Sequence, residues 1–120
     1  MARQTLTKTT VVGPYPTLQP AANSLDVTFA AAIVADKEQF VMSGNDVLLV
    51  WNTDAVNPYT FTVTSVADER NRTGDITTYS VGAGEIAAFK FSAQKGWMQS
   101  GGYCYIEASN VAIKFAVLAL

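Results

Sequence analysis

The sequence predicts an all-β domain, a single antiparallel β-sandwich or barrel of jelly-roll-like type with about eight strands and an extended N-terminal arm. Three observations predict it. Strand-like runs recur at intervals of roughly 8–15 residues with turn residues between them, the spacing of sandwiches and barrels. Residues 59–65 alternate without a fault, Tyr59, Phe61 and Val63 against Thr60, Thr62 and Thr64, so one side of that strand faces a core. Apolar residues make up 49% of the 120 and charged residues 15%, which suits one folded domain whose exterior is partly apolar and covered by partners.

Residues 1–23 read as an extended arm and strap. Thr5 to Val12 is a Thr-rich strand candidate, and Pro14, Pro16 and Pro20 follow it. Proline fixes φ near −65° and pushes the residue before it toward extended geometry, so this stretch reads as polyproline-like. The arm either pairs with its own domain or adds a strand to a neighbouring subunit. Residues 24–120 form the β-domain. Residues 25–29 alternate as a strand. In 30–39 the alanines and Asp36-Lys37-Glu38-Gln39 favour helix while Ile33 and Val34 do not, so the segment is expected to be irregular with one helical turn. The unbroken apolar run 47–51 follows a turn at 43–46 and predicts a central strand buried on both faces. It is expected to form an antiparallel hairpin with 59–65 across the 52–58 turn. After the polar loop 67–75 come a strand at 76–81, a hairpin turn at Gly82 to Gly84, a strand at 85–91 and a turn at 92–96. Trp97 is expected to begin the next element, and 103–107 and 112–120 close the chain.

Chemistry is sparse. The net charge of −2, with eight Lys and Arg scattered from Arg3 to Lys114, offers no basic face for nucleic acid. The absence of histidine removes the commonest general base and metal ligand, and the single Cys104 forms no internal disulfide and reads as a small buried hydrophobe. Asp68, Glu69 and Asp75 are interleaved with Arg70 and Arg72, which favours a self-compensated loop over a calcium site. Asn71-Arg72-Thr73 matches a glycosylation acceptor, a short pattern that requires secretion. Trp51, Tyr59, Trp97, Tyr103 and Tyr105 read as core or subunit interface ahead of a ligand platform. No catalytic, metal or cofactor site is expected, and the chain is not expected to be an enzyme. Its first residues have no apolar core, so they are not read as a secretory signal and synthesis in the cytoplasm is expected. The longest apolar run, 29–35, is far short of the roughly 20 residues of a membrane helix.

The last strand is the anomaly. Ile113, Phe115, Val117 and Ala119 form one face and Ala112, Lys114, Ala116, Leu118 and Leu120 the other, so both faces are apolar beyond Lys114. Such a strand is expected to be central or covered by another chain, because a free edge of that kind aggregates. Phe115, Val117, Leu118 and Leu120, with Leu6 and Tyr15 on the arm, are the candidate residues for an oligomer or partner interface.

Thr62-Val-Thr-Ser-Val-Ala-Asp68 and Arg72-Thr-Gly-Asp-Ile-Thr77, with Val47-Leu-Leu-Val50 before them and Lys114-Phe-Ala-Val-Leu118 after, resemble small virion proteins of tailed bacteriophages, of the head decoration or auxiliary capsid type. The resemblance covers residues 24–120 and includes no catalytic or binding motif. It implies a structural protein that decorates or cements the outside of a capsid, a homo-oligomer, often a trimer, with the major capsid protein as partner and the virion surface as location. The rival from another class is a carbohydrate- or receptor-binding β-sandwich of a phage tail or fibre.

Overall fold

The computed structural model describes residues 2–12, 21–67, 69–91 and 95–120. Among them are ten strands and no helix: β1 (Gln4–Thr5), β2 (Lys8–Thr10), β3 (Ala30–Ala31), β4 (Glu38–Val41), β5 (Asp46–Asn52), β6 (Tyr59–Thr64), β7 (Ile76–Val81), β8 (Ile86–Phe91), β9 (Tyr103–Ala108) and β10 (Ile113–Ala119). One sheet runs β1-β4-β9-β6-β7. The other runs β2-β10-β5-β8, with β3 also paired to β10.

Without the two N-terminal strands the orders are β4-β9-β6-β7 and β3-β10-β5-β8, in which every connection from β3 onward except β6–β7 passes between sheets. That is the order of a jelly roll, an open two-sheet sandwich and not a closed barrel. The pairings in this eight-stranded part are antiparallel, and β1 on β4 and β2 on β10 are parallel.

The core lies between the sheets. Phe61 is its hub, with ring centroids 5.5 Å from Phe89, 5.7 Å from Tyr79 and 6.4 Å from Phe115. Leu48, Val50, Val63, Ile106 and Ile113 are fully buried around it. The facing expected for β6 holds, with Phe61 and Val63 inward and the threonines outward. Its register with β7 shifts between Phe61 and Val63, where Thr78 takes a left-handed φ of 47° and its N–H donates to Thr62 Oγ1.

Several local expectations are corrected. Residues 25–29 are not a strand, because β2 already takes the edge of β10 at Val117, Leu118 and Ala119 and only Ala30–Ala31 pairs farther along. The helical turn is present as one bond, Lys37 N–H to Ile33 O at 2.7 Å, but β4 follows at once. β5 and β6 are not a hairpin, since they lie in opposite sheets. The buried Asn52 amide turns the chain across: Nδ2 donates to Asn57 O and Val81 O, and Oδ1 accepts from Asp54 N–H. The turn at 82–85, with Gly84 at φ 73°, likewise links the two sheets and does not close a hairpin. Trp97 sits in a turn against Phe91, and the next strand begins at Tyr103.

The N-terminal segment bridges the sheets at their open margin. Leu6 is buried between β1 and β2, its N–H donating to Gln39 O. Arg3 donates to Glu38 O and Ile106 O and stacks over Tyr105, and Lys8 reaches Val41 O and the Asp46 carboxylate. Residues 4–10 thus pair within their own chain, so the sandwich takes two strands from before residue 24. The proline strap and Tyr15 lie outside the described residues.

Candidate interaction surface

β10 is central, with β5 on one side and β2 and β3 on the other. Its inward residues Ile113, Phe115 and Val117 are 0–1% exposed. Phe115 and Val117 therefore belong to the chain's own core and not to an interface, and so does Leu6 at 5%. Of the expected contact residues, Leu118, half-buried on the outward face, and Leu120, 51% exposed, are at the surface.

The pairing register gathers an outward face around them. In one row Ile86, Trp51, Lys114 and Ala31 stand side by side, and in the next Ala88, Leu49 and Ala116. A third row sets Lys90, Val47, Leu118 and Thr9 together. Phe29 meets Trp51 edge-on at 5.4 Å, and Ala116 on the strand between their elements is buried although it points outward. Val47, Leu49 and Trp51 keep partial exposure, so β5 is buried on one face only, contrary to the sequence expectation. Lys90 and Lys114 are the only charged groups on the outward positions of β5, β8 and β10, and the Lys114 ammonium lies 5.8 Å from the Trp51 ring.

The opposite sheet is clothed differently. Its outward positions hold Thr60, Thr62 and Thr64 on β6, Tyr103, Tyr105 and Glu107 on β9, and Gln39 and the exposed Val41 on β4, with Gln39 Nε2 bonded to Thr5 Oγ1 and Glu107 paired with Lys37 at 3.4 Å. An exposed sheet face normally alternates against its core with polar residues, as this one mostly does, Val41 apart. The outward positions of β10, β5 and β8 instead carry apolar side chains and two lysines.

The cysteine and two of the loop carboxylates have partners or burial within the fold. Burial, and then the Asp46 carboxylate, push the Cys104 thiol up to about 12, so it stays protonated at neutral pH. Asp75 accepts from Ser65 N–H and Oγ–H, and Glu69 pairs with Lys95. No cluster of metal-ligating side chains occurs among the described residues. Near this loop an open cleft of about 410 Å³ is bordered by Ser65, Arg72, Gly74, Lys95 and Trp97.

Alternation does not reveal two buried carboxylates, Asp46 and Glu38, because each occupies an inward strand position. Asp46 accepts from Ser43 N–H at 2.8 Å, Ser43 Oγ–H at 2.7 Å and Lys8 Nζ at 3.2 Å. Burial alone would raise its pKa, but these donors outweigh it and hold the carboxyl below the usual range. Glu38 accepts from Ile33 N–H through Oε2, while Oε1 has no partner, and burial pushes its pKa up. Both tie the N-terminal segment and neighbouring turns to the sandwich.

The fold is that of an open jelly-roll sandwich whose β10-β5-β8 outer face is the more apolar of the two. Comparison with known proteins finds no matching family model, no matching curated protein and no matching solved structure.

Proposed function

We propose that the chain is a structural protein of a virion, a decoration or cementing component that binds the outside of a capsid through protein–protein contact and assembles with copies of itself. The observation that carries the contact reading is the apolar outward face of β10, β5 and β8, set against the polar face of the other sheet. The virion setting and the trimer rest on the resemblance of residues 24–120, and jelly rolls are one of the architectures used in capsid proteins. Fold alone does not assign a role.

Cementing works by linkage. A protein that binds the assembled shell but not its dissociated subunits stabilises the shell by RT ln(1 + [L]/Kd), about 2.7 kcal/mol per site at 100 times Kd. The test is co-sedimentation of the purified chain with shells of the major capsid protein of the virus that encodes it, with unassembled subunits as control. Binding to shells alone, with a rise in shell melting temperature, is expected; no binding to shells would refute the proposal.

A second reading, a carbohydrate- or receptor-binding module, is favoured by the cleft beside Trp97, where an indole ring borders the Arg72 and Lys95 side chains. Glycan-array binding lost in Trp97→Ala would establish it over the first.

A further inference from the structure

We propose that copies of this chain associate head to tail, one end of the sandwich in one molecule packing on the β10-β5-β8 face of the next. The inference rests on the self-assembling part of the proposed function and gives it a geometry.

The end in question is built by the connections 32–37, 53–58, 82–85 and 109–112. Backbone bonds stitch them together: Thr53 N–H to Ala112 O, Ala32 N–H to Ile113 O, and Asn52 N–H to Glu85 O. Connections are usually polar at their tips. Here Val56 is 80% exposed and Val111 62%, with Ile33 and Val34 exposed beside them. The charges among these tips are acidic, Asp36, Asp54 and Glu85, while Lys37 is paired with Glu107. Asp54 is held ionised by the N–H groups of Asn57 and Val56, which lower its pKa. The result is an aliphatic patch edged by carboxylates.

The sheet face has the reverse character, an aliphatic field holding two ammonium groups and no carboxylate on its strand positions. A twofold contact between two such faces would bring four lysines into one desolvated interface without a counter-charge. Placing the acidic end of one copy on the basic face of the next matches apolar with apolar and sets opposite charges together. Counting the β2 and β3 edge beside β10, β5 and β8, four strands spaced about 4.8 Å apart and some seven residues long give a footprint of roughly 20 by 22 Å. That flat area of about 440 Å² is roughly half of the about 800 Å² per partner of a standard-size interface, the range of weaker contacts that form at high local concentration. A contact between unlike patches closes into a ring or runs on as a filament.

The experiment is sedimentation velocity on the full chain at tens of micromolar, with two charge-reversal variants. Asp36→Lys/Glu85→Lys alters the end and Lys90→Glu/Lys114→Glu alters the face; circular dichroism melts verify that each stays folded. The wild type is expected to form oligomers, each variant alone to associate at least tenfold more weakly, and an equimolar mixture of the two to recover association. If the wild type is a monomer, or if the Asp36→Lys/Glu85→Lys variant assembles as well as wild type, the head-to-tail contact is overturned. Should the face variant fail to fold, the end variant still decides, because a face-to-face contact leaves it unaffected. Shell co-sedimentation is read separately: a monomer that pellets with shells refutes self-assembly and with it the head-to-tail contact, leaving decoration standing, and an oligomer that ignores shells refutes decoration alone.

Discussion

Replacing Leu6 by Ala separates an N-terminal segment that completes the sandwich from an arm that hangs free of it. Leu6 is 5% exposed, between Thr5 and Thr7, which are both exposed, so one side chain anchors the crossing from β1 to β2. Core Leu→Ala truncations cost about 2–5 kcal/mol. The lower part of that range, about 2–3 kcal/mol, applies here because the site lies at the sandwich margin and short flanking strands can relax into the space. Urea unfolding with an m-value near 1.5 kcal/mol/M would then show a midpoint about 1.3–2 M lower with m unchanged. The shift should not depend on protein concentration, since Gln4 and Leu6 bond to Lys37 and Gln39 of the same chain. A loss below about 0.5 kcal/mol, the usual size for an exposed site, would refute the buried placement. A loss that grows on dilution would show the strands exchanged between copies.

Phe61→Ala should cost about 3–5 kcal/mol, because it empties the centre of a four-ring cluster. Thr62→Ala should cost about 1 kcal/mol or less for the exposed bond from Thr78 N–H, and denaturant melts giving the opposite order would invert the facing of β6. Because Asp46 has a lowered folded pKa, its contribution is complete above the ordinary value of 3.8 and is lost as pH falls through the folded value. Asp46→Asn should therefore destabilise at pH 7 and much less near pH 2, and equal losses at both would remove the carboxylate from the account. Glu38 has the opposite sign: its raised pKa favours the fold below 4.5, an advantage lost as pH rises through the folded value. Glu38→Gln should therefore raise the melting temperature at pH 7 relative to that at pH 4, and an unchanged difference between the two would contradict its buried ionisation.

The parts of the fold legible in the sequence are those where a local pattern decides. Tyr59 to Thr64 showed its facing by alternation, and the run Val47 to Trp51 marked a central strand. Which sheet a strand joins is not a local property. A turn at 52–58 is visible as turn chemistry, but the Asn52 amide that carries the chain across bonds to Val81, far along the sequence. β4 is not legible as a strand because Glu38 takes an inward position where alternation calls for an apolar residue. The interface was half legible: β10 is apolar on both faces, and the sequence alone does not say which one is the core, so Phe115 and Val117 stood beside Leu118 and Leu120 as candidates. Lys90 and Lys114 come onto one face only through their separate pairings with β5.

The central claim is that the outward face of β10, β5 and β8 is covered when the protein works. Lysine acetylation footprinting, read by mass spectrometry, tests it directly by comparing dilute protein with the assembled, shell-bound form. Lys90 and Lys114 should lose reactivity on assembly by a large factor, while Lys95, 72% exposed and away from that face, should keep it. Unchanged reactivity at Lys90 and Lys114 in the assembled form would contradict the claim.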